Sequence, residues 1–206
     1  MIIDKKEHII NAAIELFAEK GFEGTSIRDL AAKADVNIAM VNYYFGSKDK
    51  LFEALIEHKA SYMRERLEEI TADKSKSDIE KLDVVIETYV NRILSQRYYH
   101  RIIHQEIMLK QREEVHNNII SIFSKNTEII KNIIEHGIRK KVFKKVDPEL
   151  TFATILGTIN QVTLSKSLCN QLMNKDKNFN PYNDENFKKR IITHLKQLIH
   201  SLLIQH

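Results

Sequence analysis

The residues of this chain best suited to chemistry lie between Thr25 and Lys48. They suit recognition of a nucleic-acid duplex better than bond making. Thr25 and Ser26 offer hydroxyls beside the first amides of a helix, a natural seat for a phosphate. Arg28 can reach a guanine edge or a phosphate from the same helix. Asn37, Ala39, Met40 and Asn42 open a short segment whose amides can pair with adenine. Its Ala and Met side chains can meet a thymine methyl. Tyr43 and Tyr44 can donate hydroxyls to phosphates, and Lys48 adds a cation. A merely polar helical face would have little reason to show two adjacent tyrosines. Charge counts the other way. Residues 1–50 hold seven Lys and Arg against eight Asp and Glu. Any positive face must therefore come from local placement of Arg28, Lys33, Lys48 and Lys50.

To present these side chains the chain must form two short helices and the start of a third. Ile9, Ile10, Ala13, Leu16 and Phe17 recur at helical spacing and predict a first helix from about Asp4 to Lys20. Gly21 then offers the positive φ of a helix stop. A second helix starts at Thr25 or Ser26, where Ser26 and Asp29 have the spacing of a capping box. Ile27, Leu30 and Ala31 form its inner face. The turn Ala34-Asp35-Val36-Asn37 needs a left-handed residue, which Asp tolerates, and Asn37 can cap the third helix. That helix is too short to stand alone, so Val41 and Phe45 must pin it. Gly46-Ser47 ends it. A long fourth helix follows from about Lys48 to Ile70, with Phe52, Leu55, Ile56, Tyr62, Met63 and Leu67 inward.

Beyond it the chain reads as further helices. A fifth follows a polar loop at 71–77, a sixth covers about Tyr98 to Leu109, and a seventh runs from about Glu113 to His136, ended with help from Gly137. An eighth starts at Asp147-Pro148-Glu149, a cap acceptor followed by Pro at the first helical position, and reaches about Leu172. A ninth covers about Asp184 to Leu203. With 206 residues, 43% of them apolar, only five Gly and two Pro, and no strand alternation, the chain is all-α with about nine helices. A net charge of +4 is compatible with nucleic acid without establishing it. The single cysteine, Cys169, excludes an internal disulfide framework. No segment reads as a secretory signal, and no apolar run approaches the ~20 residues that cross a bilayer. A cytoplasmic protein is the simplest reading.

Three blocks then fall into one pattern: Ile-Ile-Asn-Ala-Ala-Ile-Glu-Leu-Phe-Ala-Glu-Lys-Gly-Phe, Thr-Ser-Ile-Arg-Asp-Leu-Ala, and Val-Asn-Tyr-Tyr-Phe-Gly-Ser-Lys-Asp-Lys-Leu. Residues 8–56 resemble the DNA-binding domain of the TetR/AcrR family of bacterial transcriptional regulators. The rest of the chain matches in length and helical content alone. Asp35 stands where the family often has Gly, and Asn42 where many members carry Tyr.

The resemblance implies an N-terminal helix-turn-helix DNA-binding domain at 1–47 and a larger C-terminal ligand-binding and dimerisation domain at 48–206. It implies a homodimer joined through helices eight and nine on a palindromic double-stranded operator, a repressor released by a small-molecule effector, and Lys48 as a phosphate-binding lysine. Candidate pocket residues are Tyr62, Met63, Tyr89, Ile93, His104, Met108, Phe123, Phe152, Leu156 and Ile159. Each of them also suits an ordinary core. His100 and His104 share a helical face, but no third ligand accompanies them, so no metal and no cofactor are expected. The alternatives are a DNA-binding protein of this fold without an effector, and a helical enzyme. The second lacks a nucleophile elbow, phosphate loop, zinc-protease motif or paired-cysteine signature.

Overall fold

A computed structural model of the chain describes residues 5–110 and 112–204. Ten helices and no strand occur among the described residues: α1 (Lys5–Lys20), α2 (Ile27–Lys33), α3 (Ile38–Phe45), α4 (Lys48–Ala72), α5 (Asp78–Ser95), α6 (Arg97–Leu109), α7 (Glu113–Arg139), α8 (Pro148–Thr163), α9 (Lys166–Leu172) and α10 (Glu185–Leu203). The expected start of the first helix at Asp4 lies outside the described residues.

Local chemistry sets most of the boundaries. Gly21, at φ 74°, ends α1. Ser26 and Asp29 form a complete capping box on α2, and Ser77 and Glu80 form another on α5. Asn37, Asp147 and Asp184 accept the N3 amides of α3, α8 and α10. Asp35 takes the left-handed turn position at φ 49°.

Three expectations need correction. The eighth helix does not run unbroken to Leu172. Ser165 turns extended and its hydroxyl caps a separate helix, α9. Thr163 meanwhile turns its hydroxyl back to Ile159 O at 2.8 Å. A Ser that can cap competes with one that continues a helix. Gly137 does not stop α7, which runs on to Arg139. Its lack of a side chain admits Phe143, whose ring would lie 2.2 Å from any Cβ there. Lys141 takes the left-handed position instead, at φ 60°. Tyr62 points outward, 65% exposed, rather than into the core.

The chain packs as two units. One holds the described residues up to Met63 together with those between Tyr98 and Ser124. Its core joins Ile9, Ala13 and Phe17 of α1 and Leu30 of α2 to Val41 and Phe45 of α3. Leu51, Phe52, Leu55 and Ile56 of α4, and Tyr99, Ile102, Ile103, Val115 and Ile119 of α6 and α7, complete it. Packing therefore does not break at Gly46-Ser47. The other unit holds Arg64–Arg97 and the chain from Lys125 on. There α5, α8 and α10 pack mutually through Leu82, Ile86, Ile155, Ile159, Leu195 and Ile199, all buried.

Candidate nucleic-acid interface

The first unit sorts its Thr25–Lys48 residues into an outward set and an inward set. Val41 (1% exposed) and Phe45 turn in and hold α3 against the core. Arg28, Asn37, Ala39, Asn42, Tyr43 and Tyr44 are exposed, and Met40 is half-buried. Tyr43 is 84% exposed. Its ring meets that of Tyr44 edge-on, with centroids 5.4 Å apart. A phenol so exposed is available to an outside partner. The two amides differ. Asn37 Oδ1 accepts from Met40 N at 2.7 Å, so its oxygen is already spent on the cap. Asn42 makes no side-chain hydrogen bond among the described residues, and both its donor and its acceptor remain open.

Thr25 does not belong to the outward set. It is 1% exposed, and its hydroxyl donates to Gly21 O at 2.7 Å. Its amide donates to Phe22 O at 3.2 Å. A threonine that must satisfy itself inside a turn has no hydroxyl to offer a phosphate. Ser26 is exposed, but its hydroxyl and amide both face the Asp29 carboxylate, the amide at 2.9 Å. These two hydrogen bonds hold the Asp29 carboxyl down at about 2.

Lys48 is partly committed. Its ammonium donates to Phe22 O at 2.9 Å and to Thr25 O at 3.0 Å, and lies 4.2 Å from the centre of the Phe22 ring. An ammonium has three donors, so one remains for an outside acceptor. Glu15 sits 2.8 Å from Lys33 and raises its affinity for a proton. Asp29 lies 3.4 Å from Lys20. Arg28 and Lys50 form no ion pair among the described residues. They supply the local positive charge that the balanced composition requires.

One residue that the sequence alone does not bring to the site, Arg112, matters here through Phe22. Phe22 packs with Phe17 and Phe52, ring centroids 5.2 and 5.3 Å away. Arg112 stacks on the same group, with its guanidinium carbon 3.4 Å from the centre of the Phe22 ring. Helical periodicity could not have joined residues 90 positions apart.

The candidate pocket residues divide between the two units. Tyr62, Met63, His104, Met108 and Phe123 fall in the first, and Tyr89, Ile93, Phe152, Leu156 and Ile159 in the second. Met63, Ile93, Phe152 and Ile159 are buried, whereas Tyr62 and Met108 are exposed. The Tyr89 ring meets Phe152 at 5.6 Å, and burial pushes its phenol well above the usual range. None of the ten lines either described cavity. One, of about 580 Å³, lies in the second unit between Gly157 and Gln161 of α8, Leu172 of α9 and Phe187, Arg190 and His194 of α10. The other, of about 400 Å³, lies in the first unit beside Lys6, Ile10, Glu57 and His58.

A short capped helix on a three-helix head, showing amides and phenols and held by two apolar anchors, is the build of a helix-turn-helix reader. Residues 9–55 match the model of bacterial regulatory proteins of the tetR family, and residues 75–164 match the tetracyclin repressor-like C-terminal domain. The chain is 31% identical over 150 residues to the probable HTH-type transcriptional regulator YttP of Bacillus subtilis, covering 69% of each chain. It is 28% identical over 158 residues to the fatty acid metabolism regulator protein of the same organism, covering 76% of this chain and 80% of that one. The solved structure of the Bacillus subtilis regulator FadR in complex with stearoyl-CoA shares the fold, with a TM-score of 0.70 at 24% identity over 92% of this chain and 96% of the other. The chain belongs to the TetR family of bacterial transcriptional regulators. It is a DNA-binding transcriptional regulator. Among the described residues no helix is long and apolar enough to cross a membrane.

Proposed function

We propose that two copies of this chain pair through α8 and α10 and lay their α3 helices in the major groove of a palindromic operator. Residues 1–47 carry the reading, and residues 48–206 carry effector binding and pairing. Asn42 reads base edges, joined by Ala39, Met40 and the free amide nitrogen of Asn37. Arg28, Tyr43, Tyr44, Lys50 and the remaining donor of Lys48 hold phosphates. Ser26 contributes its helix N-terminus, while Thr25 works from inside by fixing the turn. The single observation that carries this reading is the outward face of α3, where two adjacent exposed tyrosines stand beside an amide that makes no hydrogen bond among the described residues. A single head makes few contacts, and two-fold pairing doubles them. Small residues on the open side of α8, Ala153, Thr154 and Gly157, suit close approach by a second chain. A regulator of this kind meets its DNA in the cytoplasm, and it works there as a switch rather than an enzyme.

For the effector, a fatty acyl-CoA is the first class to test. One relative is named for fatty acid metabolism, and one solved structure of the same fold holds stearoyl-CoA. Release requires that the effector bind better to the state whose heads no longer match the operator. The test is a mobility shift on duplexes selected from a random library by the purified protein, repeated with stearoyl-CoA. Tight, salt-dependent binding to an inverted repeat, released by micromolar stearoyl-CoA, supports the whole reading. Binding that stearoyl-CoA leaves untouched removes the acyl-CoA and keeps the reader. No selected duplex at low salt removes both.

A further inference from the structure

Arg112 follows α6 and leads into α7, inside the stretch that matches the family's C-terminal domain. Its side chain nonetheless packs in the unit that carries the reading helix. The guanidinium carbon lies 3.4 Å from the centre of the Phe22 ring and 4.7 Å from that of Phe52. One guanidinium nitrogen is 3.3 Å from Asp49 Oδ1, in the first turn of α4, and the other pairs with Glu106. Glu106 is buried, and its second carboxylate oxygen has no hydrogen-bond partner among the described residues. A buried carboxylate needs its cation, so Arg112 is fixed from below by Glu106 and from the side by two aromatic rings.

Phe22 is where this matters. It sits in the α1–α2 turn, and the same residue gives its carbonyl and one ring contact to Lys48. Two cations thus hold one residue of the turn that sets the start of α2, and Thr25 O of that turn also accepts from Lys48. We propose that Arg112 is a positioning residue for operator reading: it clamps Phe22 and Phe52 and bridges Glu106 to Asp49, so the α6–α7 link and the α1–α2 turn keep one geometry. The proposal rests on the duplex-reading assignment of α3. Drawing Arg112 away would strand the Glu106 carboxylate and bare Phe22, so the link cannot shift while the turn stays as it is. The task calls for a guanidinium. Its flat face stacks on rings while its edges reach two carboxylates, and an ammonium cannot do both.

The test compares the full-length parent with Arg112→Ala and Arg112→Lys. The probes are the duplex selected by the parent, a scrambled duplex of equal length, and amide hydrogen exchange read by peptide. Both variants are expected to bind the selected duplex about tenfold more weakly, with binding to the scrambled duplex unchanged. Exchange should quicken in residues 21–27 and not in α10. A general loss of stability would instead speed exchange throughout, and lysine would restore a role that needed charge alone. Parent-like affinity for the selected duplex in Arg112→Ala, or full rescue by Arg112→Lys, overturns the proposal. If Arg112→Ala does not fold, Arg112→Lys decides by the same two readouts. If the parent selects no duplex, the reading of α3 fails, and exchange at residues 21–27 still judges the clamp: unchanged rates there overturn it.

Discussion

The open faces of α3 and of the α8–α10 pair are both helical surfaces that their own units leave uncovered, yet they are held in opposite ways. Helix α3 has eight residues and only two buried anchors, Val41 and Phe45. Its ends are set by Asn37 and by Gly46 at φ 75°. Helices α8 and α10 rest on long buried rows, with Phe187, Ile191, Leu195, Ile199 and Leu203 on α10 alone. The exposed chemistry differs as well. α3 shows phenols and an unpaired amide, which suit the donors, acceptors and phosphates of a duplex. α8 shows small side chains beside a shallow cavity, which suit another protein surface that must come close. The head borrows its order from its neighbours, and the α8–α10 face carries its own.

That contrast can be broken most severely at the anchors. Phe45→Ala should cost the first unit about 3–5 kcal/mol, the usual range for a buried Phe, and should abolish operator binding with it. The same truncation at Leu195, at about 2–5 kcal/mol, should lower the melting temperature of the second unit while the head still titrates duplex as a weakened binder. Urea unfolding followed separately by signals from the two units checks this. Equal loss of operator binding in both variants would show that the units do not melt apart.

The next largest effect tests the pairing face. Nothing lies within 4 Å of a Cβ built at Gly157, and the residue faces an open cavity, so Gly157→Arg starts without a clash. It should leave the protomer as stable as before, because Gly is the poorer helix former by about 1 kcal/mol. It should also yield a monomer whose operator affinity falls roughly a hundredfold, as expected when two linked heads become one. Sedimentation velocity with the mobility shift reads both. A dimeric Gly157→Arg variant would move the pairing surface elsewhere.

Tyr43→Ala should change little in stability, within about 0.5 kcal/mol for so exposed a site. It should weaken operator binding roughly tenfold, the scale of about 0.7 kcal/mol for one net hydrogen bond lost on each of two heads. Lys48→Ala is the less clean companion. Its ammonium also ties Phe22 O to Thr25 O, so it should lose affinity and loosen the turn together.

Much of the head was legible because its determinants are local. Asn37, Asp35, Gly21 and Ser26 act within four residues of themselves, and periodicity exposes Val41 and Phe45 as anchors. Thr25 misled for the same reason: a hydroxyl near a helix start looks like a phosphate donor until the fold folds it under Gly21. The meeting of Arg112 with Phe22 was not legible, because it depends on how α6 and α7 return to α1 and α4. The second unit was harder still. Ser165 can continue a helix or cap a new one, and its own neighbours in sequence do not say which; in the fold it caps α9, which buries Cys169 and Asn170. Apolar character at helical spacing marks the pocket candidates, and every core residue shares it, so they scatter over two units.

The smallest effect concerns the cap that starts α2. The Ser26 hydroxyl and amide hold the Asp29 carboxyl at about 2, below its ordinary 3.8, with a lesser contribution from Lys20. A folded-state value below the unfolded one means that the ionised carboxylate favours the fold. This stabilisation is fully present above about pH 4, fades as pH falls through the folded value, and is gone once both states are protonated. Asp29→Asn should therefore melt slightly below the parent from pH 7 down to about pH 4, and the gap should close toward pH 2. The carboxyl carbon shift of Asp29 should titrate in that same lower range. A gap that stays constant to pH 2 would mean that the amide's size or its own hydrogen bonds, rather than the carboxylate charge, set the difference. The capping box at Ser26 would then hold α2 as well with a neutral partner as with an ionised one.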